Sequence, residues 1–248
     1  MSKTYLISGG NRGIGKGLVA KLLSRPQSTL IVLVRDPSHD TSESLSSLPK
    51  AEGSKLIVEK YDAASTDSPF NAIKAVQSTN HIDVLDIVIA NSGILTQYGP
   101  VSGVKASELE SHFFINAVAP ILLFQATLPL LKKSSNPKFF TISTSVASIG
   151  SMGEEAFDAV AYGVSKVAVN YAMRKLHFEN ADIVFQPLHP GWVKTEMGQY
   201  AADKSGFVER PPVELEQSVD GLLSEIDRAT KEETSGRFFG FDGQELPW

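Results

Sequence analysis

The chain alternates short apolar runs with longer stretches where apolar and polar positions recur at helical spacing. The short runs are KTYLIS (3–8), TLIVLV (29–34), KLIVEK (55–60), VLDIVIA (84–90), KFFTIS (138–143), DIVFQPL (182–188) and RFFGF (237–241). Most are continuously apolar. A strand reads this way when both of its faces are covered, as in a parallel sheet. Helical spacing occupies 14–24, 68–79, 106–132, 160–179 and 212–229. Strand–helix alternation implies right-handed crossovers, which predict an α/β fold with a doubly wound parallel sheet of about seven strands and helices on both faces. Ser68-Pro69 predicts an N-cap followed by proline at the first helical position. Ser107-x-x-Glu110 predicts a capping box. The Ser-, Pro- and Asp-rich segment 36–54 reads as a polar loop. No repeat or low-complexity linker interrupts the pattern, so residues 1–248 are expected to form one domain.

Composition narrows the function. With 42% hydrophobic and 21% charged residues over 248 positions, the chain can bury a full core without staples. It has no cysteine, which excludes disulfides, thiolate metal sites and a thiol nucleophile. The histidines at 39, 81, 112, 177 and 189 have no ligand-like spacing, so no metal site is expected. A net charge of -5 with no basic run gives nucleic-acid binding no electrostatic support. No signal peptide, no 18-residue apolar run and no C-terminal address is legible, so a soluble, cytoplasmic protein without a membrane partner is expected.

Two local patterns carry chemistry. The first strand runs into SGGNRGIG (8–15) and then a helix, with Gly9, Gly13 and Gly15 at G-x-x-x-G-x-G spacing. Glycine lets the backbone turn tightly and approach a pyrophosphate, and the helix N-terminus behind it offers free N–H groups. Between the first strand and first helix of a Rossmann-type sheet this predicts a dinucleotide site. The second strand ends in Arg35, and Arg12 lies in the glycine loop. Two guanidiniums there suit a ribose 2′-phosphate, which favours NADP(H) over NAD(H). Asp36 is the competing reader, because a one-residue shift places an acid at the NAD position. The second pattern is AYGVSK (161–166), which sets Tyr162 and Lys166 one helical turn apart on one face.

In order along the chain, these motifs resemble the short-chain dehydrogenase/reductase family over nearly the whole length. SGGNRGIG is similar to T-G-x-x-x-G-x-G, with Ser8 for the usual threonine, and it brings Asn11 and Ile14 to the cofactor. Asp62, with Ala63, matches the acid after the third strand whose neighbourhood meets adenine. ANSG (90–93) resembles N-N-A-G, with Asn91, Ser92 and Gly93 at the cofactor. Asn116 matches the helix asparagine of the proton relay. Tyr162 and Lys166 match Y-x-x-x-K. HPGWVKT (189–195) resembles the nicotinamide-binding P-G-x-x-x-T, and places Pro190, Gly191, Val193 and Thr195 there. HPGWVKTEMG and FDGQELPW resemble, within the family, the carbonyl reductases grouped with sniffer and with fungal norsolorinic acid ketoreductase.

The resemblance implies hydride transfer from the nicotinamide to a carbonyl carbon, with Tyr162 protonating the oxygen. A cation one turn away lowers a phenol's pKa from its usual value of about 10, so Lys166 is expected to make Tyr162 a usable acid and to bond the nicotinamide ribose. The family also has a hydroxyl at the end of the fifth strand. Overlaying I-S-S-x-x-G-S-I on ISTSVASI selects Thr144, whereas an overlay on S-V-x-G selects Ser145; only one of the two faces the site in a regular strand. Substrate loops are expected at about 146–160, with Met152 and Phe157, and at 195–210, with Met197, Tyr200 and Phe207. Trp192 closes one wall, and the set suits an apolar or aromatic ketone. His189 is expected to be structural. No basic residue clearly marks the pocket, although Lys194 and Lys204 are nearby.

The leading expectation is an NADPH-dependent carbonyl reductase acting on a small-molecule carbonyl. An NAD-linked alcohol dehydrogenase and a non-catalytic dinucleotide-binding regulator stay open. The helix at 106–132 is apolar over much of its surface and needs cover on more than one side. By resemblance, it packs against its copy in a homodimer or homotetramer.

Overall fold

The computed structural model describes residues 2–154, 157–206 and 210–248. Seven strands are parallel: β1 (Lys3–Ser8), β2 (Ser28–Val34), β3 (Lys55–Lys60), β4 (Ile87–Ala90), β5 (Lys138–Ile142), β6 (Val184–His189) and β7 (Phe238–Gly240). An eighth, β8 (Glu245–Leu246), runs antiparallel to β7. The sheet order is β3-β2-β1-β4-β5-β6-β7-β8. Eight strands agree with the expected sheet of about seven, and β8 is the one that the apolar pattern does not mark. At two residues it is too short to show a period, and only its pairing with β7 makes it a strand.

The continuously apolar strands are explained by two covered faces. Along β1, Leu6 points to one core and Ile7 to the other; Ile31 and Val32 of β2, Val88 and Ile89 of β4, and Phe139 and Phe140 of β5 split the same way. One core is closed by α1 (Gly13–Leu23) and α8 (Leu215–Arg228), through Leu18, Leu22, Leu222 and Ile226. The other is closed by α3 (Ser68–Asn80), α5 (Ala119–Leu131) and α6 (Val160–Glu179), through Val76, Leu123, Phe124 and Met173. Phe124 meets the rings of Phe139 and Phe185 edge-on at 5.4 and 5.2 Å.

Several expected boundaries move. β4 begins at Ile87 rather than 84, because Leu85 N–H turns to Leu130 and Asp86 N–H to Thr4. Asp67, not Ser68, occupies the N-cap position of α3; the Ser68 hydroxyl instead accepts from Asp62 N–H at 2.8 Å. α4 (Ala106–Phe113) is capped by Glu108, which accepts from Lys105 N–H at 2.9 Å, rather than by Glu110. A π turn at Phe114–Val118 joins α4 to α5. This helical stretch, Ala106–Leu131, is by length and composition alone apolar enough to cross a membrane, contrary to the expectation of no such run; here more than half of its apolar window is buried inside the protein. The polar segment after β2 carries α2 (Asp40–Glu43) and a 3₁₀ turn that buries Leu45 in the core. The loop expected after Thr195 is α7 (Glu196–Ser205), capped by Thr195 at one end and by left-handed Gly206 at the other.

Candidate active site

The strand order reverses between β1 and β4, and the crevice at their carboxyl ends is where an open α/β sheet binds its ligand. The glycine loop lies there. Gly9 and Gly13 have φ of +66° and +52°. A Cβ on Gly15 would lie 2.2 Å from Gly9 O and 2.6 Å from the Asn91 amide nitrogen, so only glycine closes this loop. Asn91 donates to the carbonyls of Ser8 and Gly9 at 3.0 Å each, and the Ser8 hydroxyl accepts from Asn91 and Ser92 N–H. Asn91 and Ser8 thus brace the loop. Asn11 ties it to Thr41 and Ser42. Arg12, extended at the N-cap of α1, uses no side-chain cap, so the first N–H groups of the helix face the crevice unblocked. A dinucleotide phosphate fits this cradle: positive-φ glycines, free N–H groups and the positive end of a helix dipole.

The predicted readers of the adenosine end are differently occupied. Arg35 is exposed and has no partner among the described residues. Arg12 pairs with Glu196 at 3.0 Å across the mouth, with both side chains largely in solvent. Asp36 accepts from the N–H and hydroxyl of Ser38 at 2.9 and 2.7 Å, which holds its carboxyl below the usual range. Half-buried Asp62 accepts from Ala64 N–H at 2.9 Å and shapes the turn that carries Ala63.

At the other end α6 presents Tyr162 and Lys166 beside the carboxyl end of β5. Thr144 is buried and extended; its hydroxyl accepts from Val146 N–H at 3.3 Å and lies near enough to the Tyr162 phenol to lower its pKa. Ser143 points the other way and donates to Asn170 at 2.7 Å. Ser145 lies along the same cavity, and its N–H turns to His189 Nδ1 at 3.1 Å. Lys166 is 5% exposed; its ammonium donates to the Ile142 carbonyl at 2.6 Å and lies 5.7 Å from the Tyr162 ring centroid. Burial holds its pKa down to about 8. Burial pushes Tyr162 up to about 12, with the nearby Thr144 hydroxyl pulling the other way. This corrects the expectation that Lys166 lowers the phenol: desolvation wins, and the ammonium is turned to a strand carbonyl. Asn116 is fully buried in the π turn. It accepts from Ile94 N–H at 2.8 Å and donates to Ile94 O and the Ser165 hydroxyl at 3.0 Å each, so its side chain joins the β4 loop to α6. Gly93 fits between: a Cβ there would meet Asn116 at 3.0 Å and Lys166 at 3.6 Å.

A cavity of about 120 Å³ joins the two ends, running from Ile14 past Pro190, Gly191, Val193 and Thr195 to Thr144 and Tyr162. Its apolar wall includes Phe157 and Trp192, whose rings meet edge-on at 5.1 Å, and Met197. Other expected lining residues go elsewhere. Met152 is exposed. Tyr200 donates to Thr96 O at 3.0 Å and lines a neighbouring cavity with Lys204. Lys194 pairs with Glu214. Phe207 lies outside the described residues. Leu95 and Tyr98 line the cavity although no motif marks them; they enter because the loop after β4 folds over the site. Among the described residues no cluster of His, Asp and Glu could hold a metal ion.

A doubly wound sheet with a glycine cradle at its switch point and a buried Tyr–Lys–Thr group at the far end defines a dinucleotide-dependent oxidoreductase. The family description short chain dehydrogenase matches residues 3–206, and the chain belongs to that family. It is 45% identical to norsolorinic acid ketoreductase nor1 of Dothistroma septosporum, over 99% of this chain and 92% of that protein. The Aspergillus parasiticus norsolorinic acid ketoreductase is 39% identical, over 98% and 90%. Among solved structures, NADPH-bound carbonyl reductase from chicken fatty liver superposes with a TM-score of 0.87 at 28% identity, over 100% and 99% of the two chains. The carbonyl reductase Sniffer of D. melanogaster gives 0.86 at 27%, with both chains fully covered.

Proposed function

We propose that this chain reduces a ketone or aldehyde to an alcohol with NADPH, and that Tyr162 is the proton donor. The observation that carries the reading is that Tyr162 and Thr144 line one cavity, which also reaches Ile14 of the glycine loop. The relatives named for ketone reduction and the NADPH-bound neighbour support it. When bound, the reduced dinucleotide supplies the hydride that the carbonyl carbon accepts. Thr144 and Tyr162 hold the carbonyl oxygen between two hydroxyls, and Tyr162 gives it a proton as charge develops there. A phenol pushed up to about 12 holds that proton at neutral pH, which suits reduction better than oxidation. Lys166, charged below about pH 8, steadies the phenolate left behind. Asn116 fixes the β4 loop against α6, and the phenol regains its proton from solvent through this polar group.

The Phe157–Trp192 pair and Met197 suit an aromatic or apolar carbonyl. Arg35, free in solvent, and Arg12 favour the 2′-phosphate of NADPH, while Asp36 is turned into its own turn. The pairing of Arg12 with Glu196 favours the second reading, an NAD-linked enzyme. Side-by-side oxidation of NADPH and NADH against aromatic ketones, diketones and quinones tests both. Ketone-dependent NADPH oxidation, lost in Tyr162→Phe, is expected. A preference for NADH would move the cofactor role to Asp36, and binding without turnover would favour a regulator. The exposed apolar positions Val164 and Tyr171 on α6 and Phe113 on neighbouring α4 support self-association into a homodimer or homotetramer.

A further inference from the structure

We infer that His189 is a positioning residue for the reaction: its imidazole stands in for a missing strand acceptor and holds the turn that carries Thr144. The inference rests on the proposed role of Thr144. β5 and β6 pair in parallel, and Ser143 N–H bonds Leu188 O at 2.7 Å. Two residues on, an evenly spaced ladder would send Ser145 N–H to Pro190 O. That ladder bond does not form: the Pro190 carbonyl accepts from the Ser218 hydroxyl at 2.6 Å, and the chain turns away at Gly191 with φ of +82°. Ser145 N–H instead meets His189 Nδ1 at 3.1 Å. His189 is itself held, because its carbonyl accepts from Phe241 N–H at 2.8 Å.

This bond lies one peptide from the hydroxyl it serves. Thr144 precedes Ser145, takes the extended conformation at the start of the 145–147 turn, and has its hydroxyl between Val146 N–H and Tyr162. Releasing Ser145 N–H leaves a donor without its partner and lets the turn rotate about Thr144. The imidazole can accept only while Nδ1 is unprotonated, and burial pushes its pKa down to about 4. The proton of the neutral ring is therefore on Nε2.

The test compares His189→Asn, whose Oδ1 can accept the same N–H, with His189→Leu, which cannot. His189→Leu is expected to lose about tenfold to a hundredfold in kcat, the scale of a small misplacement at a reacting group. His189→Asn is expected to stay within about threefold of the native kcat, since its acceptor is restored. NADPH affinity is expected to be unchanged in both. Native kcat in His189→Leu would overturn the inference, as would equal loss in both variants. If His189→Leu does not fold, nitrogen NMR of the native protein decides: an unprotonated, hydrogen-bonded Nδ1 is expected from pH 5 upwards, and a protonated Nδ1 would overturn the inference. If the native protein reduces no ketone at all, the proposed function fails, while the NMR result still judges the His189–Ser145 bond.

Discussion

Tyr162 and Lys166 are written openly in the chain, four residues apart, but their working state is not. Spacing puts the ammonium near the phenol; burial then pushes the two pKa values toward neutrality of both groups, to about 12 and about 8. Two pH effects follow. Reductase turnover is expected to fall as pH rises through about 8, where Lys166 loses its charge, and a pH–rate profile checks this. Stability runs the other way. The lysine's folded pKa lies below its ordinary 10.5, so the unfolded chain binds more protons between about 8 and 10.5, and stability rises with pH across that window. Lys166→Met removes that slope and is expected to stabilise the chain at pH 7 by up to about 3 kcal/mol, read from melting curves at several pH values. Arg12 offers a milder case. Glu196→Gln frees its guanidinium and is expected to tighten NADPH about twofold to fivefold without affecting NADH, the scale of an exposed ion pair. A fluorescence titration that finds no change would remove Arg12 from the 2′-phosphate site.

At the scale of elements, the glycine loop was legible because its demands are local. A tight turn needs glycine wherever a Cβ has no room or φ is positive. The two demands separate by position. Gly15→Ala forces a Cβ onto Gly9 O and is expected to cost about 1–3 kcal/mol, with dinucleotide affinity falling together with stability. Gly13→Ala meets only the Thr195 methyl at 3.6 Å and carries chiefly the left-handed strain, about 1 kcal/mol. Urea denaturation of the two variants should rank them in that order. α7 was missed for the opposite reason. Gly198 within it reads as a breaker, yet a Cβ there would lie 2.0 Å from Val193 O, so the glycine serves a close approach and leaves the helix intact. The choice of Thr144 over Ser145 also belongs to this scale. Just past β5, Ser143 turns to Asn170 of α6 while the Thr144 hydroxyl lies near Tyr162, a difference on which two sequence overlays disagree.

On the whole molecule, the sheet buries both faces and leaves an apolar trace outside. Val164 and Tyr171, seven residues apart on α6, are 51% and 72% exposed, and Phe113 of α4, a helix packed on α6, is 46% exposed. Burial of this patch against a second copy would remove it from water. Light scattering is expected to find a dimer or tetramer, and Tyr171→Asp with Val164→Asp should shift it to monomer with the fold intact; a monomeric native protein would end the proposal. The sequence by itself determined the layer order, because continuously apolar strands and amphipathic helices leave few ways to cover both faces. It also determined the glycine loop and the Tyr–Lys pair, whose geometry depends on neighbours within a turn. Only the tertiary structure decided what depends on distant segments meeting: β8 on β7, Tyr98 and Leu95 over the cavity, Glu196 on Arg12, and His189 under the Thr144 turn. Those contacts join residues far apart in the chain, and no local period records them.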